Sequence, residues 1–119
     1  MSTFVASHRN ARISAQKVRL VAELVRGQYA AAAKDTLKFQ PQRGARLLEK
    51  VIRSAVANAR DPEQTGGTPN RIEDLVLTDV RVDGGSMFRR MRPRSRGSAN
   101  IIKKRSSHIR VKVTPIDEI

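Results

Sequence analysis

The chain has 119 residues, no cysteine, and 24 lysines and arginines against 11 acids, a net charge of +13 with a pI near 11.5. That length accommodates one hydrophobic core, so residues 1–119 are expected to form a single domain, and the missing cysteines exclude disulfides, thiol chemistry and most structural zinc sites. No apolar run approaches the roughly 18 residues of a membrane span and the N-terminus lacks a signal-peptide core, which favours the cytoplasm and makes nucleic acid the leading partner.

Residues 3–9 form a short candidate strand. The first helix is expected over 14–26: Ser14 suits the N-cap, Val18, Val21, Ala22 and Val25 recur at helical spacing, and Gly27 supplies the stop. Lys17, Arg19 and Arg26 then lie off the buried stripe. A second, shorter helix spans 29–39, with Tyr29, Ala33 and Leu37 four residues apart and Pro41 ending it. The third, over 42–60, has the strongest pattern. Ala45, Leu48, Ile52, Ala55 and Ala59 alternate steps of three and four, Val51 and Val56 widen the face, and the alanines predict the close approach of another backbone. Residues 61–70 (DPEQTGGTPN) carry turn chemistry and read as a surface loop.

Residues 75–83 (LVLTDVRVD) predict a strand with Val76, Thr78, Val80 and Val82 on one face. Residues 109–113 (IRVKV) predict another, with Ile109, Val111 and Val113 opposite Arg110 and Lys112. Matching the apolar faces pairs Val82 with Ile109 and Val80 with Val111, because a one-residue slip would expose half of them. That register folds the intervening chain at Ser95 and Arg96, among the turn residues of 93–97. Each arm then runs some thirteen residues beyond the base, roughly 40 Å at about 3.4 Å per residue. A hairpin of that reach must project from so small a body, as an arm over about 84–107.

The arm lies in the most distinctive stretch of the chain. Residues 84–116 hold ten of the 24 cations and no acid, leaving 14 cations against 11 acids elsewhere. Charge of this density is either disordered or complementary to a polyanion. A flexible basic tail would account for the composition alone, but a tail does not return into a strand as regular as IRVKV. Arginine predominates over 89–96, which favours bidentate contacts to phosphate. Phe88, the one aromatic of the arms, suits packing at the arm root or stacking on a base. Four aromatics in the whole chain argue against a single-strand stacking platform. Arg9, Arg12, Lys17 and Arg19 form a second, sparser basic patch near the start of the first helix, where free N–H groups also favour phosphate.

Enzyme chemistry finds no support. His8 and His108 lack further metal ligands or a partnered nucleophile, and GGT at 66–68 and DGG at 83–85 are not followed by the Lys-Ser/Thr or helix of a nucleotide loop. His108 is expected at the hairpin base, donating to phosphate or backbone. No catalytic residue, metal or cofactor is expected.

Three blocks carry a family resemblance: ISAQKVRLVAELVRG at 13–27, EKVIRSAVANA at 49–59 and, most specifically, PRSRGSANIIKKRSSHIRVKV at 93–113. Through residues 5–113 the chain resembles the large-subunit ribosomal protein twenty-two family of bacterial type. The resemblance implies an α+β fold of three helices on a three-stranded antiparallel sheet with a long projecting β-hairpin. It implies a body seated on ribosomal RNA beside neighbouring ribosomal proteins, in a cytoplasmic ribosome or an organellar one of bacterial type. The arm would thread inward, its tip lining the nascent-peptide exit tunnel near where macrolides bind. By motif, Lys17 and Arg19 are then expected body contacts to ribosomal RNA, and the charge pattern adds Arg9 and Arg12. Lys103, Lys104, Arg105 and His108 are expected arm contacts by motif, with Arg89 and Arg90 added by charge; Pro93, Arg94, Ser95, Arg96 and Gly97 form the tip, joined by Arg92. The usual Asp-Glu-Gly-Pro at the arm root is here Asp83-Gly84-Gly85-Ser86, and Gly-Arg-Ala at the tip is Gly97-Ser98-Ala99. The competing reading, a DNA-bending protein with two β-arms, requires an obligate dimer, and nothing in the sequence marks a large apolar dimer face.

Overall fold

A computed structural model describes residues 3–65 and 69–119. The helix with the strongest pattern forms as expected: α3 (Arg43–Arg60) buries Ala45, Leu48, Val51, Ile52, Ala55, Val56 and Ala59 on one face. The first helix is shorter than its stripe. It runs over Ala15–Ala22 as α1, after which Leu24 and Val25 donate to Val21 and Ala22, three residues back. The reason lies in a distant strand. Gly27 N–H donates to Leu77 O and Leu77 N–H to Gln28 O, so strand pairing claims this backbone and the helix stops before it. Val25 is nevertheless fully buried.

Helix α2 (Ala30–Lys38) buries Ala30, Ala33 and Leu37. Tyr29, expected on the same stripe, instead precedes the helix in extended conformation, bridges to Val76 and stays half exposed. The end of α2 is held from α3. The Arg46 guanidinium donates to Leu37 O (2.8 Å), Lys38 O (3.0 Å) and Gln40 O (3.0 Å), satisfying carbonyls that a helix terminus leaves free. The loop expected over 61–70 contains one helical turn, α4 (Pro62–Thr65), where Asp61 caps the Glu63 N–H and proline takes the first position. The Gly66, Gly67 and Thr68 part of that loop lies outside the described residues.

The sheet is antiparallel in the order β1-β3-β2, with β1 at Phe4–Ala11, β2 at Leu75–Pro93 and β3 at Ala99–Pro115. Val80 pairs with Val111 and Val82 with Ile109, the register that the apolar faces dictate. Two irregularities change what straight alternation predicts. Thr78 is an extra residue between the Leu77↔Val113 and Asp79↔Lys112 pairs, so the core face passes from Leu75 and Leu77 to Val80 and Val82. Val76 and Thr78 therefore do not share that face. Thr78 is exposed and its hydroxyl lies 3.3 Å from the Lys112 carbonyl, to which it donates.

The second irregularity is at the arm root. Gly85 and Ser86 stand opposite Ser106 alone, whose hydroxyl donates to Ser86 O at 2.5 Å. This moves the apex by half a step, from between Ser95 and Arg96 to Arg96 itself, with Pro93 facing Ala99. Arg96 and Gly97 both take left-handed conformations (φ 61° and 75°), and Ser98 closes the turn by donating its hydroxyl to Ser95 O.

Helix α3 lies over β1 and β3, α1 over β2, and α2 against α3, so all three helices cover one side of the sheet. Beyond Ala11 the third strand ends and β2 and β3 continue alone as a two-stranded ribbon. The molecule measures 65 × 27 × 18 Å, and its radius of gyration of 17.5 Å exceeds the roughly 13.5 Å of a compact chain this long. The ribbon accounts for the excess.

Candidate nucleic-acid interface

The pleat divides the arm into two faces. Cross-strand pairs Phe88↔Lys104 and Arg90↔Ile102 share one face, and Met87↔Arg105, Arg89↔Lys103 and Met91↔Ile101 share the other. The first face turns toward the body. Phe88, Arg90, Ile102 and Lys104, joined by Lys103 and Arg105, line one wall of a concavity of about 1270 Å³. The opposite wall belongs to the body: Arg12 from the end of β1, Lys17 and Leu20 from α1, and Gln42, Arg43 and Gly44 at the start of α3.

Two basic patches far apart in sequence thus meet in one elbow. Of the expected contacts, Arg12, Lys17, Arg90, Lys103, Lys104 and Arg105 come together there. Arg89 lies on the ribbon's other face, and Arg92 to Gly97 occupy its far end, all exposed. Arg9 lines a separate, smaller depression with Ser7, Asp83, His108 and Arg110. Arg19 has a structural task as well, because its Nε donates to Val82 O at 3.0 Å and ties α1 to β2. Arg26, beyond the end of α1, likewise donates through Nε to Val80 O at 3.1 Å.

His108 sits at the hairpin base, where its Nδ1 accepts from the Asn10 N–H at 3.1 Å. The ring proton is therefore on Nε2, the edge turned toward Gly85. Residues that sequence reasoning missed are Arg43 and Leu20, in the elbow, and Arg46. A signal for Arg43 was present in the sequence, since a cation in the first turn of a helix opposes the macrodipole.

The electrostatics of the elbow favour an external anion. Among the described residues, five body cations find acids: Arg53 and Arg46 pair with Glu49 (2.9 and 3.6 Å), Arg81 with Asp79 (2.9 Å), Arg71 with Glu73 (3.6 Å) and Arg26 with Glu23. Among the described residues no carboxylate pairs with an arm cation. Both helices that open onto the concavity lack a side-chain cap and an acid in the first turn, and carry Lys17 and Arg43 there instead. Each such cation opposes the helix dipole by about 0.3–1 kcal/mol, which a bound anion would relieve. Among the described residues no cluster of three His, Asp or Glu side chains gathers to hold a metal.

A small α+β body bearing an unneutralised basic ribbon has the build of a structural, polyanion-associated protein. The family described as Ribosomal protein L22p/L17e matches residues 6–114. The "Large ribosomal subunit protein uL22" of Rhodopirellula baltica is 69% identical over 119 residues, covering 100% of both chains. The chain belongs to this ribosomal-protein family; it is a structural protein and not an enzyme.

Proposed function

We propose that this protein is built into the large ribosomal subunit, where the elbow and the arm bind ribosomal RNA and the tip lines the nascent-peptide exit tunnel. The observation that carries the reading is the meeting of the Arg12, Lys17 and Arg43 patch with the Arg90, Lys103, Lys104 and Arg105 patch in one concavity. Cations of one sign facing each other across a groove repel until polyanionic backbone lies between them. Body and arm roots anchor the protein, and residues 92–97 are free to reach a distant surface.

The test shortens the arm. Arg92 and Asn100 already face each other, so replacing residues 93–99 with Asn-Gly closes a tight hairpin in the native register. The variant enters large subunits at near-normal occupancy, and its ribosomes differ from wild type in macrolide sensitivity or in pausing on tunnel-sensing nascent peptides. A variant excluded from subunits makes the tip an assembly anchor. One that enters with both responses unchanged shows that the tip does not line the tunnel.

A further inference from the structure

The elbow holds more than charge. Beside its cations, here called the rim, its lining includes the apolar side chains of Ile13, Leu20, Phe88 and Ile102, here called the floor. Phe88 is 58% exposed and Leu20 70%, although a ring and an isobutyl group of this size gain from burial. The Arg90 guanidinium lies 5.6 Å from the Phe88 ring centroid, on the ribbon face that Phe88 shares. A phosphodiester backbone alone would use the rim and leave this floor bare.

We infer that the elbow receives one unpaired nucleotide of the bound RNA, its base laid on Phe88 and its flanking phosphates on the cationic rim. Aromatic rings and arginine planes are the surfaces on which splayed-out RNA bases stack; the Arg90 guanidinium lies over one face of the Phe88 ring, and the base takes the other. Charge complementarity selects this occupant over an apolar peptide. The rim brings Arg12, Lys17, Arg43 and Lys104 around the apolar floor, and a neutral partner would leave those cations desolvated without an anion. A paired base cannot present its face, so the nucleotide is bulged or in a loop. The stacking itself is tolerant of base identity, since every base offers a π-face.

The inference rests on the RNA-binding reading above, and the experiment separates the two. The full-length protein is titrated with three hairpin RNAs: one with a single bulged adenosine, the same hairpin fully paired, and one with an abasic residue at the bulge. Wild type binds the bulged hairpin on the order of 10- to 100-fold more tightly than the other two. Phe88→Ala and Phe88→Leu abolish that preference, Phe88→Tyr keeps it, and none of the three changes the salt dependence, because no phosphate contact is lost. Equal binding of bulged and abasic hairpins overturns the stacking inference while leaving RNA binding intact. So does a preference that survives in Phe88→Leu, which keeps apolar bulk without the aromatic face. Weak binding of all three RNAs with no salt dependence overturns both readings.

Discussion

Gly85 is where the arm leaves the body, and it has no room for a side chain. A Cβ there would stand 2.7 Å from Ser106 Oγ and 3.2 Å from His108 Nε2, whereas one on Gly84 would meet nothing within 4 Å. The two adjacent glycines therefore respond oppositely to alanine. Gly85→Ala is expected to destabilise by about 1–3 kcal/mol through overpacking. Gly84→Ala should be neutral or gain up to about 1 kcal/mol by restricting the unfolded chain. Urea denaturation of the two variants checks the pair. Ser107 gives a second contrast. It is fully buried and its hydroxyl has no partner among the described residues, so Ser107→Ala should not reduce stability. Arg46→Ala should reduce it by about 1–3 kcal/mol, since three carbonyls lose their donor. A Ser107→Ala variant as unstable as Arg46→Ala would mean that the buried hydroxyl is bonded after all.

At the scale of elements, the arm has to be stable without a core. From Arg89 to Asn100 each side chain is exposed, like charges stand close together, and two-stranded ribbons alone are marginal in water. Amide exchange on the free monomer should show a protected body and fast exchange across 87–104; slow exchange at the tip would contradict this. The same elements show what sequence can and cannot carry. The pairing of Val80 and Val82 with Val111 and Ile109 was legible because two alternating strands admit one register that buries both faces. The bulge at Thr78 was not, because it depends on which residue of β3 stands opposite, and LVLTDVRV alternates cleanly on its own. The early end of α1 was hidden for a similar reason, since the backbone bonds that stop it come from Leu77, fifty residues on. The cationic arm was plain from composition. The elbow was not, because only the fold brings Arg43 and Leu20 to face Phe88 and Lys104.

At the scale of the molecule, the arm and the body form two walls of one site, and the central claim is that both walls hold the same RNA. Each phosphate neutralised contributes on the order of −0.7 to −0.9 to the log–log salt slope of binding. The decisive measurement is that slope for large-subunit ribosomal RNA with wild type and two triple variants, one in each wall. Lys103→Ala, Lys104→Ala and Arg105→Ala together remove the arm's share; Arg12→Ala, Lys17→Ala and Arg43→Ala remove the body's. Both variants are expected to flatten the slope by roughly two to three units. A slope unchanged in either variant would mean that that wall faces solvent in the complex, and the elbow would not be the binding site.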